Sequence, residues 1–138
     1  MRSQIGLLSL VGLLSLLATA DAQTPSRFDG TYRLVSAAKV NQTYRSREGR
    51  MLLCWDRTPG PLTIANGHAK YTTETGHELN GTVGPNGELD LRMMAGAGET
   101  HSRPMEMRTT ATQIDNTGTV HARQIGGSCS YDYVWQKQ

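Results

Sequence analysis

Large apolar side chains are scarce in this sequence. Its 138 residues include one phenylalanine and two tryptophans, against 15 glycines. So little bulk builds only a thin core, which excludes a large helical or multi-domain architecture and favours one small, stapled domain. An excess of one charge is also missing. Lys and Arg number 14 and Asp and Glu 12, so the formal charge is +2. That balance gives no electrostatic footprint for nucleic acid or for an anionic membrane. Beyond Leu17 there is no apolar run long enough to span a bilayer. With two cysteines, neither a C-x-x-C redox pair nor a zinc-ligand set is present. Three-four apolar periodicity is absent over any useful length, which excludes an amphipathic helix.

The amino terminus carries the one long apolar stretch. Met1 and Arg2 are followed by Ile5 to Leu17, then by the small residues of Ala18-Thr19-Ala20 and Ala20-Asp21-Ala22. A basic start, a short apolar run and a small-x-small site read as a secretory signal peptide over 1–22. The run is shorter than the roughly 20 residues a membrane-spanning helix needs. The expectation is an exported, periplasmic or secreted chain with a single β domain over 23–138 and no membrane span after signal removal. In such an oxidising compartment the pair Cys54 and Cys129 reads as one disulfide. The loop it closes covers most of the domain, worth about 3 to 4.5 kcal/mol on the chain-entropy model.

Period-two alternation broken by turns fills the rest. Tyr32, Leu34, Ala38 and Val40 share one parity. The stretch from Arg45 to Arg50 reads as a long polar loop leading to Met51-Leu52-Leu53-Cys54-Trp55. Asn66-Gly67 and Pro85-Asn86-Gly87 mark hairpins, because the tightest such turns need positive φ. Ala69, Tyr71 and Thr73 alternate, as do Leu89, Leu91 and Met93. So do Met105, Met107, Thr109 and Ala111, then Val120, Ala122 and Gln124, and last Cys129, Tyr131, Tyr133 and Trp135. The final strand thus carries the most apolar face in the chain. Pairing it with the first strand, Thr31 to Val40, removes both exposed edges. The expectation is an all-β antiparallel meander of about eight short strands, closed or nearly closed into an up-and-down barrel, with a β-sandwich as the alternative.

Phe28-Asp29-Gly30-Thr31 at the start, Leu79-x-Gly81-Thr82-Val83 with its Pro85-x-Gly87 turn, and the ending Cys129-x-Tyr131-x-Tyr133 occur together. In these residues the chain resembles a group of small exported proteins of alphaproteobacteria. The resemblance implies a periplasmic or secreted location and carries over no catalytic residue.

Catalytic signals are weak. No G-x-S-x-G elbow occurs, and His68, His77, His101 and His121 lie near turns or on outward parities. A non-catalytic module without a cofactor is therefore expected, binding a small molecule or a periplasmic protein. For a small apolar or amphipathic ligand the candidate residues are Tyr32, Tyr71, Tyr131, Tyr133 and Trp135. For a protein-interaction role, such as protease inhibition, the candidate loop carries Arg45, Arg47, Arg50, Trp55 and Arg57. A second candidate loop runs from Ala95 to Arg103. A third reading is a Cu(I) carrier using Met93, Met105, Met107 and His101, since thioethers suit Cu(I).

Overall fold

The computed structural model describes residues 26–93 and 107–138. The described residues contain ten strands and no helix. They are β1 (Gly30–Lys39), β2 (Thr43–Arg45), β3 (Met51–Leu53), β4 (Leu62–Ala65), β5 (His68–Thr72), β6 (Glu78–Val83), β7 (Leu89–Met93), β8 (Arg108–Ala111), β9 (Thr119–Ile125) and β10 (Tyr131–Lys137). Eight of them form a closed antiparallel barrel in the order β1-β10-β9-β8-β7-β6-β5-β4, while β2 and β3 pair only with each other. The barrel expected from the alternation is the architecture observed.

Closure comes from the two neighbours of β1. On one side β10 pairs along it from Tyr32↔Lys137 to Lys39↔Tyr131. On the other, β4 pairs only with its start, Gly30↔Ile64 to Tyr32↔Leu62. The hairpin turns follow their sequence signals. At Asn66-Gly67 both residues have positive φ, 51° and 77°, as a type I′ turn requires.

The interior is built by parity. Tyr32, Leu62, Leu79, Leu91, Val120 and Trp135 are 0 % exposed. Tyr71, Tyr131 and Tyr133 join them. One parity expectation fails. A bulge between Leu34 and Ser36 inserts Val35, so that Ala37 and Lys39, not Ala38 and Val40, lie opposite Tyr133 and Tyr131. An extra residue in one strand flips every later side chain to the other face. Val35 is accordingly exposed, and so is Ser36, although it shares the sequence parity of Tyr32 and Leu34.

Both barrel ends are plugged. At one, Phe28 is buried and its carbonyl accepts the Tyr32 hydroxyl at 2.6 Å. Asp29 there accepts the backbone N–H groups of Asn66 and Gly67. Desolvation pushes its carboxyl up, but backbone hydrogen bonds from Asn66, Gly67 and Ser26 together with the Lys137 charge outweigh it and hold the pKa below the usual carboxylate value. At the other end Arg57 lies over the Tyr131 ring, 5.5 Å from its centroid, and pairs with Glu74 at 3.0 Å.

Candidate functional site

The aromatic residues expected to line a ligand cavity instead pack on one another. Tyr71 meets Trp135 at 5.1 Å between ring centroids, and Tyr133 meets Trp135 at 5.3 Å. Tyr131 stacks on Tyr133 at 6.1 Å. Tyr32 stands apart from this group, at the Phe28 end. Their polar tips are satisfied inside the protein. Tyr71 and Thr109 share a hydrogen bond of 2.6 Å. The Tyr133 hydroxyl donates to the Gln124 side-chain oxygen at 2.6 Å, and the Trp135 indole N–H donates to the Gly60 carbonyl. Burial pushes the Tyr71 phenol up to about 12 and that of Tyr133 higher still. Thr109 and Gln124 are thus partners for buried hydroxyls. Hollows of about 530 and 410 Å³ lie on the outer wall, the first beside His68, Asn80 and Thr82, the second beside His121, Arg123 and Asp132.

The region read as a polar loop is a β-hairpin. Thr43, Tyr44 and Arg45 pair with Leu53, Leu52 and Met51. β-Branched and large side chains at these positions suit a pleated ribbon, and Gly49, with φ of 80°, supplies the turn. Neither strand pairs with the barrel, so the hairpin forms an arm beside it. Its apolar side chains face outward. Met51 is 57 % exposed, Leu53 74 % and Trp55 81 %. Arg45, Arg47 and Arg50 lie on the same hairpin and are exposed, Arg45 directly across from Met51. Among the described residues none of the three has a carboxylate partner, whereas Arg57, Arg92, Arg108 and Arg123 on the barrel each pair with an aspartate or glutamate. Arg57 therefore departs from the expectation for the interaction loop. It is a half-buried plug at the barrel mouth, not part of the arm surface.

The base of the arm is held by several independent bonds. Cys54 and Cys129 form the disulfide, with Cα atoms 5.9 Å apart. Asn41 accepts the Ser130 N–H at 2.8 Å and donates to the Ser128 carbonyl at 2.9 Å, joining β1's end to the segment before β10. Lys39 pairs with Asp56 at 3.0 Å. Sequence reasoning missed both residues. Lys39 needed the bulge, and Asn41 carries no local motif that distinguishes it from a solvated loop residue.

Of the methionine candidates, Met93 and Met107 come together at the facing ends of β7 and β8, with the Met93 N–H bonded to the Met107 carbonyl. Met107 is buried and Met93 packs against the core. Met105 and His101 lie outside the described residues, as does the loop from Ala95 to Arg103. Among the described residues no group of three or more His, Cys, Asp or Glu side chains is placed to hold a metal ion. His68, His77 and His121 are exposed. No helix among them is long and apolar enough to cross a membrane, and the disulfide fits an oxidising compartment. No family model, curated protein or solved structure matches the chain.

Proposed function

We propose that this chain is a non-catalytic exported binding module whose working surface is the β2–β3 arm, and that its partner is another protein. One contrast carries the reading. Tyr71, Tyr133 and Trp135 are sealed in the barrel with their polar tips satisfied there, while Met51, Leu53 and Trp55 stand in solvent on a braced hairpin. Trp, Met and Arg together are the composition of protein–protein contact surfaces and of their energetic centres. Covering each large side chain contributes on the order of 1.5–3 kcal/mol. A braced base means little ordering entropy is lost on docking. Protease inhibition through this exposed segment is one form such a role takes.

Native mass spectrometry of the chain purified from its own host tests the reading. The expected result is a stoichiometric protein complex that Leu53→Ser and Trp55→Ser lose while the barrel stays folded. A small molecule or copper retained by the unaltered chain, and equally by both variants, overturns it.

A further inference from the structure

The arm carries a second kind of unmet valence, in its backbone. Ser46 donates its N–H to the Arg50 carbonyl, and Cys54 donates to Gln42. Those bonded pairs fix the alternation between them, so Tyr44 and Leu52 also face each other across hydrogen bonds. The N–H and C=O groups of Thr43 and Arg45, and of Met51 and Leu53, therefore point away from the hairpin. On the β2 side the Thr43 carbonyl is already taken by the Asn41 amide at 3.1 Å. On the β3 side no second strand lies along the outer edge of Met51 and Leu53 among the described residues. That edge bears large exposed apolar side chains, has neither a lysine nor a proline, and among the described residues no strand covers it; lysine, proline and a cover are the usual protections of an edge strand.

Charge decides what fits there. Arg45 lies across from Met51, Arg50 precedes it on the parity of Leu52, and Arg47 sits in the turn, against a single acidic residue, Glu48. We infer that β3 receives an extended, acidic segment of the partner protein as a third strand of the arm. Apolar residues of that segment share the face of Met51 and Leu53, and alternate carboxylates share the face of Arg50. A second copy of this chain would bring the same three arginines to the contact, so the edge favours a different chain.

This inference rests on the arm being the docking surface, and its test is separate from the test of that reading. The full chain is titrated with a short peptide of alternating glutamate and valine, and amide hydrogen exchange is followed residue by residue. The Met51 and Leu53 amides are expected to gain about tenfold protection or more, while the Leu52 amide, already bonded to Tyr44, does not change. A lysine–valine peptide, and the glutamate–valine peptide with N-methylated valines, are expected to give no protection. Equal binding by the N-methylated peptide, or no protection with any peptide, overturns strand addition. The docking reading then stands or falls on the mass measurement alone. Protection that rises with protein concentration without peptide assigns the edge to a second copy. A blue shift of Trp55 emission on phosphatidylglycerol vesicles, without peptide protection, assigns the arm to a lipid surface. Either result overturns the inference. Trp135 is fully buried and serves as the unmoved reference.

Discussion

The hydroxyl of Tyr131 donates to the backbone carbonyl of Trp55 at 2.8 Å. One bond thus joins the first residue of the last barrel strand to the most exposed aromatic of the arm. It lies next to the disulfide, since Cys54 precedes Trp55 and Cys129 shortly precedes Tyr131. The arm's placement is therefore set by the same residues that close the barrel.

Removing the disulfide by replacing Cys54 and Cys129 with alanine is expected to cost about 2–5 kcal/mol in urea unfolding. The 75-residue separation puts the effect toward the upper part of that range on the chain-entropy account. Hydrogen exchange in β2 and β3 is expected to quicken more than in β6 and β7, because the staple holds the arm's base.

Tyr71→Phe is expected to cost about 1–3 kcal/mol, because it strands the buried Thr109 hydroxyl. Adding Thr109→Val removes the orphaned group. The double variant is then expected to be more stable than the sum of the two single losses allows, a coupling that urea unfolding of the four proteins measures.

Arm substitutions are expected to separate binding from stability. Leu53→Ser and Trp55→Ser leave core contacts intact, so thermal unfolding should shift by no more than about 0.5 kcal/mol. Partner binding should fall at least tenfold, as for an energetic centre of an interface. Arg47→Glu should weaken association chiefly at low salt.

Stability should fall at both pH extremes. Hydrogen bonds from Arg108 hold the Asp90 carboxyl down to about 2, and Arg123 lowers that of Asp132. A depressed folded pKa contributes stability above the unfolded value, near pH 3.8, that is lost as pH falls through the folded one. Unfolding free energy should therefore drop between about pH 5 and pH 2, less so at high salt because both pairs face solvent. Burial raises the Tyr71 phenol to about 12. A raised folded pKa gives stability that is complete below the unfolded value, near 10, and is lost as pH rises through the folded one. Alkaline titration should show phenolate absorbance from the buried tyrosines appearing only with unfolding. Early titration of Tyr71 in a folded barrel would contradict its burial.

The barrel was legible in the alternation because one face of each strand is buried and parity records it. Val120, Ala122 and Gln124, and Tyr131, Tyr133 and Trp135, lie inside as their spacing requires. The second half of β1 was not legible, since the inserted Val35 leaves no composition signal while flipping the residues after it. The arm was hidden for a different reason. A two-stranded ribbon with both faces in solvent has no buried side to impose alternation. Its turn, Arg45 to Arg50, therefore read as a polar loop leading to the segment that holds β3 and Cys54. Its polar turn drew attention to the arginines, of which Arg57 turned out to belong to the barrel mouth.

The short pairing of β1 with β4 has a mechanical consequence. Only three residue pairs hold that junction, at the start of β1, and the arm, which leaves from the far end of β1, runs on through residues 54–61 into β4. A tug on the arm would unzip so brief a row of hydrogen bonds first. The sulfur bridge reroutes the load: it ties the root of the arm to the base of β10, which is laced along nearly all of β1 and β9. Tension from a bound partner thus travels through a covalent strap into the best-sewn part of the wall, and the weak seam is spared.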